Sequence, residues 1–170
     1  MSFMVGALLI ATSPENLLES ENGPWIIVDD VVMGGRSAGD ATVEEGTLVF
    51  SGELSLENNG GFSSVRHPVD EDLGEHTGIL LEVRGDGRQY QFRLRHGNRY
   101  DGVAWKTEFP TSDAWTEVRL PFSEFQPTFR GRWVPDAGGV RPHEVGQIGF
   151  LLADKRPGPF RLEVRRIEPY

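Results

Sequence analysis

Apolar and polar positions alternate in short segments along this chain, and the alternation predicts β-strands. In one segment Tyr90, Phe92 and Leu94 alternate with charged or amide side chains, and the segment from Phe160 to Val164 repeats the pattern. A period of two residues places successive side chains on opposite faces of a strand, so one face of each segment is expected to be buried. About nine or ten such segments, with no long amphipathic helix, predict a single all-β domain, an antiparallel β-sandwich of the jelly-roll type.

The remaining segments predict where the strands lie and how two of them connect. Further strands are expected at residues 5–10, 25–29, 48–56, 62–66, 78–84, 100–109, 115–120 and 147–153. Within residues 48–56, Leu48, Phe50, Leu54 and Leu56 share the parity expected to face the core. Asp86 and Gly87 are typical of a tight hairpin turn, so the three strands between residues 78 and 109 are expected to form a meander.

Two glycine pairs, at residues 34–35 and 60–61, stand where the chain enters and leaves the 48–56 segment. Paired glycines at such points indicate backbone that has a positive φ or is approached closely by other atoms. An aspartate at a turn accepts hydrogen bonds from nearby backbone amides, and Asp30 precedes the first pair. We therefore predict that the two loops and Asp30 converge at one edge of the sandwich, as a structural clasp or a surface that faces a partner. The candidate residues there are Asp30, Met33, Gly34, Gly35, Arg36, Asn59, Gly60 and Gly61.

Composition limits the class of protein. The chain has 170 residues, of which 38% are hydrophobic, which suits one ordinary core. Cysteine is absent, so disulfides, thiolate metal sites and a cysteine nucleophile are excluded, in keeping with a reducing compartment. The chain has no run of the roughly 20 apolar residues that a membrane span needs, and its first residues lack the basic region of a signal peptide. We expect a soluble, cytoplasmic protein without membrane insertion, metal or cofactor.

The charge argues against nucleic acid as a partner. The net charge is −9, and 15 of the 17 basic residues are arginine. Arginine favours planar, bidentate pairing with carboxylates, and the chain has no excess of positive charge for a polyanion. We therefore expect no nucleic-acid partner.

The candidates for catalysis do not assemble into a recognisable site. A Gly-x-Ser-x-Gly elbow is missing, and the four histidines fall in predicted loops without metal-ligand spacing, as surface histidines do. Asp29 and Asp30 are adjacent in a predicted strand and so point to opposite faces, which prevents them from sharing a proton. We predict that the protein is not an enzyme.

Two other groups of residues are candidates for ligand contact. Asp86 and Arg88, in Gly-Asp-Gly-Arg, stand in a turn whose amides suit an anion, although the absence of a following helix argues against a phosphate loop. Tyr100 and Trp133 lie outside the inward parity and are candidates for stacking on sugar rings. A carbohydrate-binding module is therefore the alternative function.

The ordered motifs resemble the family of complex I intermediate-associated protein 30. The resemblance runs from about residue 25 to the C-terminus. It is carried by Trp25, by DVVMGGRS at 30–37, FSG at 50–52, NGGFSSVR at 59–66, RGDGRQY at 84–90, LPF at 120–122, RGR at 130–132, IGF at 148–150 and GPF at 158–160. Arg130 joins the candidate residues on this basis.

The resemblance implies a galactose-binding-like jelly roll and a role in assembly. Mitochondrial members of the family act as chaperone-like assembly factors for respiratory complex I, the NADH:ubiquinone oxidoreductase, and the family brings no established catalytic residues. It implies a protein partner, such as a subunit of a respiratory or other membrane complex. We expect this chain to be a bacterial, stand-alone version of the domain.

Overall fold

The computed structural model describes residues 16–19, 23–98 and 101–170, and its regular structure consists of strands and short 3₁₀ turns. In chain order the strands are β1 (Ile26–Asp29), β2 (Ala38–Glu44), β3 (Thr47–Leu54), β4 (Ser63–Pro68), β5 (Gly78–Gly85), β6 (Gln89–His96), β7 (Ala104–Pro110), β8 (Thr116–Pro121), β9 (Gln126–Phe129), β10 (Arg132–Trp133), β11 (Val145–Leu152) and β12 (Gly158–Pro169). The 3₁₀ turns are Leu17–Glu19, Asp30–Met33, Glu57–Asn59, Phe122–Glu124, Pro135–Ala137 and Pro142–Glu144. The described residues contain no α-helix.

The strands form two antiparallel sheets. Sheet A has seven strands in the order β1-β4-β11-β6-β7-β9-β10, and sheet B has five in the order β2-β3-β12-β5-β8. The expected all-β sandwich is therefore confirmed. The predicted strand at residues 5–10 lies outside the described residues.

The core lies between the inner faces of the two sheets, as the period-two pattern predicted. Tyr90, Phe92 and Leu94 of sheet A are fully buried, and Phe160 and Leu162 of sheet B are at most 3% exposed. Because these segments alternate strictly, the intervening residues must face outwards. The outer faces therefore carry the polar side chains, and their chemistry differs between the sheets.

The Asp86-Gly87 turn corrects the predicted meander. It joins β5 of sheet B to β6 of sheet A, so these strands do not form a hairpin; β6 pairs instead with β7 and β11. The Asp86 carboxylate accepts hydrogen bonds from the Tyr90 hydroxyl at 3.0 Å and the Arg161 backbone N–H at 2.8 Å, which tie the turn to both sheets. Turn residues indicate that the chain reverses, but not which sheet it then enters.

Three further expectations need correction. The loop after Gly35 leads into β2, whose seven residues pair with β3 and are largely exposed, so no apolar alternation marked the strand. Leu56 lies beyond the end of β3 and is 41% exposed instead of facing the core. His67 is a residue of β4, 1% exposed, and stacks on Trp25 with ring centroids 4.7 Å apart, so it is not a surface histidine.

Candidate functional site

The Asp30 carboxylate is a hydrogen-bonded centre at the edge where β1, β2 and β4 begin or end. It is fully buried and accepts hydrogen bonds from the Ser37 N–H at 2.9 Å, the Ser37 hydroxyl at 2.7 Å, the Gly61 N–H at 2.6 Å and the Phe62 N–H at 3.3 Å. Burial opposes ionisation, but the hydrogen bonds from Ser37, Gly61 and Phe62 outweigh it and lower the pKa of Asp30 below its ordinary value. Asp30 is therefore ionised at neutral pH, and its oxygens are already occupied.

The Asp30 centre joins the two sheets. Asp30 follows β1 of sheet A, Ser37 leads into β2 of sheet B, and Gly61 leads into β4 of sheet A. The Ser37 hydroxyl also accepts a hydrogen bond at 2.9 Å from the N–H of Ser55, just after β3. We call Asp30, Ser37, Gly61 and Phe62 the clasp, because its hydrogen bonds hold loops of both sheets to one carboxylate.

Each glycine pair contributes one close approach and one positive φ. A Cβ on Gly35 would collide with the Asp30 carboxylate, and one on Gly60 would lie 2.5 Å from Asp30 Oδ2. Gly34 and Gly61 have φ values of +87° and +128°, which L side chains rarely adopt. The predicted convergence of the two loops on Asp30 is thus present in the structure. The donors to its carboxylate are Ser37, Gly61 and Phe62, whereas the Gly35 N–H donates to the Asp30 main-chain carbonyl at 2.9 Å.

Asp29 makes separate contacts. Its carboxylate accepts hydrogen bonds from the Gly39 N–H at 2.7 Å and the Ser63 hydroxyl at 2.5 Å, so it links β1 to β2 and β4. These partners differ from those of Asp30. The two aspartates therefore do not form an acid–base pair, as the strand parity predicted.

Exposed side chains surround the clasp. Val31, the residue after Asp30, is 62% exposed, and the 41% exposed Leu56 lies beside Gly61, since a Cβ there would be 3.1 Å from Leu56 Cδ2. Arg36 and Glu57 form an exposed ion pair at 3.4 Å. We call Val31, Gly34, Arg36, Leu56 and the turn Glu57–Asn59 the rim. In that turn Asn58 and Asn59 have positive φ.

Arg88 is buried and bonded to internal groups, whereas Asp86 is exposed on the turn with its carboxylate bonded to both sheets. Arg88 is 6% exposed, and its guanidinium binds Asp154 at 2.9 and 3.0 Å and the Pro159 carbonyl at 3.1 Å. Asp86 is occupied by Tyr90 and the backbone of sheet B, as described above. The sequence suggested an anion site here because it shows the turn but not the internal partners.

Two other candidates, Trp133 and Arg130, lie at the opposite edge of sheet A. Trp133 is on β10, the last strand of the sheet, and is 67% exposed, whereas the clasp adjoins β1, the first strand. Arg130, with a φ of +49°, forms an exposed ion pair with Asp101 at 3.2 Å. Tyr100 lies outside the described residues. The fold therefore does not bring Trp133 and Arg130 together with Asp30.

A group of arginines on the outer face of sheet A was not predicted as a site. Arg66 of β4 and Arg93 of β6 are each directly opposite Gly149 of β11, and Arg95 is opposite Gln147. The outward parity of Arg93 and Arg95 is visible in the sequence, but the register that brings β4 and β11 beside β6 is not. Together these residues line a small pocket.

Metal-ligand clusters and membrane-spanning helices are both absent from the described ranges. No group of three or more histidine or acidic residues there is arranged to hold a metal ion. In the same ranges, no helix has the length and hydropathy needed to cross a membrane.

Sequence comparison finds one family. The model of the family described as "Complex I intermediate-associated protein 30" matches residues 12–164. The mitochondrial complex I intermediate-associated protein 30 of Mus musculus is 26% identical over 165 residues, covering 82% of this chain and 50% of the relative. A probable counterpart from Caenorhabditis elegans is 29% identical over 149 residues, covering 75% and 44%. The chain thus spans about half the length of these curated relatives.

Structure comparison finds similar β-sandwiches among carbohydrate-binding modules. The family 11 carbohydrate-binding module of cellulase Lic26A-Cel5E of Clostridium thermocellum aligns with a TM-score of 0.69 and 16% identity, over 94% of this chain and 95% of the module. The Clostridium thermocellum module in complex with a β-1,3-1,4-mixed-linked tetrasaccharide aligns with a TM-score of 0.65 and 15% identity, over 91% and 92%. At such identities the likeness establishes a shared fold and nothing about the ligand.

Proposed function

The chain belongs to the complex I intermediate-associated protein 30 family, and from this premise we propose that it is a non-catalytic, protein-binding domain that acts as a chaperone-like assembly factor. Its partner is a subunit or partly assembled portion of a respiratory or other membrane complex. The observation that carries the proposal is the clasp with its exposed rim. The cytoplasm remains the proposed location on composition alone.

The hydrogen bonds of the clasp hold the rim in one conformation, which favours the binding of a partner. Four hydrogen bonds to one buried carboxylate hold both loops in place, so little conformational entropy is lost when the rim is covered. The rim offers two aliphatic side chains, Val31 and Leu56, beside the Arg36–Glu57 ion pair. Apolar contact surrounded by charge is the usual composition of a protein interface.

The same centre is unsuited to acid–base chemistry. A general acid or base near neutral pH needs a pKa close to that pH, whereas the pKa of Asp30 is lowered. Its carboxylate oxygens are already bound by Ser37, Gly61 and Phe62. This supports the non-catalytic proposal for Asp30.

A capture experiment with a matched valine control tests the proposal. Tagged parent, Val31→Asp and Val43→Asp proteins are incubated with detergent-solubilised membranes, and captured complex I subunits are identified by mass spectrometry. Val43 is also an exposed valine, at 48%, but it lies on β2 away from the rim. We expect Val31→Asp to lose the subunits and Val43→Asp to retain them, with all three proteins melting alike. Equal capture by all three would remove the rim as the binding surface.

A carbohydrate is the second candidate ligand, favoured by one observation. Trp133 is 67% exposed on an edge strand, where an indole face is available for stacking on a sugar ring. A glycan screen by tryptophan fluorescence, repeated with Trp133→Ala, tests this candidate. Trp115→Ala is the matched control, because Arg84 and Arg165 pack against that ring at 4.8 and 4.2 Å from its centroid. A screen without any binder would eliminate the candidate.

A further inference from the structure

Strand β8 leaves one edge of sheet B open. It is the last strand in the order β2-β3-β12-β5-β8, and among the described residues it pairs only with β5. Its residues Thr116, Glu117 and Arg119 are exposed, and Val118 is half-buried. An exposed strand edge carries unpaired main-chain groups, which can pair with a strand of another chain.

The main-chain groups that face the open edge belong to Glu117 and Arg119. Phe122 directly follows β8, and its N–H donates to the carbonyl of Thr77, which directly precedes β5, at 2.9 Å. Hydrogen-bonded pairs alternate along antiparallel strands, so every second β8 residue counted back from Phe122 bonds to β5. The residues between them, Glu117 and Arg119, therefore direct their N–H and C=O groups away from β5. Pro121, which has no N–H, also lies on the open side, as is usual for proline in an edge strand.

The order of side chains on β8 is complementary to itself. If two copies pair antiparallel with Val118 opposite Val118, Glu117 of each copy lies opposite Arg119 of the other. Glu117 and Arg119 also carry the free main-chain groups, so each such pair exchanges N–H···O=C bonds in both directions. Opposite charges that face each other across two strands add to the stability of the pairing, and the two Val118 side chains come into contact.

The present contacts of Glu117 and Arg119 leave both side chains available for this pairing. They form an ion pair with each other at 3.6 Å, and their side chains are 52% and 62% exposed. Exposed ion pairs contribute little to stability, so replacing this pair with pairs between two copies costs little. The Arg119 guanidinium also lies 5.2 Å from the ring centroid of Tyr170, which helps to fix the position of the cation.

The other edges of the two sheets lack this complementarity. Antiparallel self-pairing of β2 about Thr42 would place Asp40 opposite Glu44, so acids would face acids. The hydrogen bond from the Gly39 N–H to the Asp29 carboxylate also ties the edge strands β1 and β2 to each other. Strand β10, at the far edge of sheet A, has only two residues. The charge pattern therefore favours β8 as the edge that pairs with a second copy.

We propose that a second copy of this chain pairs with β8, antiparallel and centred on Val118, so that the two five-stranded sheets become one continuous sheet. The clasp and its rim adjoin β2, at the other end of sheet B, so the pairing leaves both rims uncovered. The proposal rests on β8 alone and does not depend on the protein-binding function proposed above.

Exchanging the charges on β8 tests the pairing, with the molecular mass measured by sedimentation equilibrium at increasing protein concentration. We expect the mass of the parent to approach twice the 18.9 kDa of one chain. Glu117→Arg places cations opposite cations, and Arg119→Glu places acids opposite acids, so each variant should dimerise about 10-fold to 100-fold more weakly. An equimolar mixture of the two variants restores opposite charges at both pairs and should dimerise as the parent does. Glu44→Arg, on the exposed edge strand β2, is the matched control and should also dimerise as the parent does.

Amide hydrogen exchange locates the interface on β8. The N–H groups of Glu117 and Arg119 gain main-chain acceptors only on pairing, so they should exchange slowly in the parent and quickly in each variant alone. A parent that stays monomeric at every concentration would refute the proposal. A dimer that both charge variants form as tightly as the parent would show that the copies pair elsewhere, and a mixture that fails to recover the dimer would overturn the register about Val118.

Discussion

Replacing Asp30 with alanine tests whether the clasp stabilises the fold. The substitution removes the acceptor for four hydrogen bonds and leaves the N–H groups of Ser37 and Gly61 without a partner. The Ser37 hydroxyl is less affected, because it can donate its hydrogen bond to the Ser55 carbonyl oxygen, 3.1 Å away. The contact with Phe62, at 3.3 Å, is long and contributes little.

The expected loss follows from the two main-chain donors. Leaving a buried donor unsatisfied costs about 1 to 3 kcal/mol, so two of them cost about 2 to 6 kcal/mol. Water entering beside the exposed rim offsets part of this cost, and we expect a loss of about 2 to 4 kcal/mol. For a chain of this size that lowers the melting temperature by roughly 5 to 15 °C.

Urea unfolding and calorimetry of the parent, Asp30→Ala and Asp40→Ala measure the effect. Asp40 is an exposed aspartate whose carboxylate binds only the next residue's N–H among the described residues, so its removal is expected to change stability by less than about 0.5 kcal/mol. If Asp30→Ala unfolds at the same urea midpoint as the parent, the hydrogen bonds of the clasp do not stabilise the fold and the reasoning fails.

Three further changes test the structure. The folded pKa of Asp30 lies below the ordinary value of 3.8, so the stability that its carboxylate contributes is complete above that pH and is lost as pH falls through the folded pKa. The difference in unfolding free energy between the parent and Asp30→Asn should therefore shrink below about pH 4. Chemical unfolding at a series of pH values measures this difference. Gly61→Ala forces a side chain to a φ of +128° and should cost about 1 to 3 kcal/mol by the same assay, and a wild-type midpoint would contradict the strain. Arg88→Met leaves the nearly buried Asp154 unpaired and should cost about 3 to 5 kcal/mol. Adding Asp154→Leu should restore most of that loss, and no rescue would show that the ion pair is not the cause.

Local pattern predicted the parts of this fold that depend on neighbouring residues. Strand parity identified the buried residues of β6 and β12, because alternation alone decides which face is apolar. The sequence did not reveal that the Asp86-Gly87 turn crosses between sheets, since that depends on partners as distant as Arg161. It also missed β2, which is largely exposed and has no apolar face to mark it.

The candidate sites also differ in whether neighbouring residues or only the folded sheets reveal them. The clasp was predictable because an aspartate and two glycine pairs already indicate unusual backbone, although the specific donors were not. The pocket on sheet A was missed because Arg66, Arg93 and Gln147 lie on three strands whose register only the folded sheet defines. The buried position of His67 was missed for a related reason, since its stacking partner Trp25 is 42 residues away in the chain.

The clasp also bears on the order in which the chain folds. Its hydrogen bond from Gly61 to Asp30 spans 31 residues within sheet A, and Ser37 ties the same carboxylate to the start of β2, so the clasp is complete only when the two sheets have begun to pack. Contacts of this kind are expected to be largely absent from the folding transition state, so weakening them accelerates unfolding while refolding keeps its rate. The clasp would therefore act as a late kinetic lock, determining how long the native sandwich persists and not how quickly it forms.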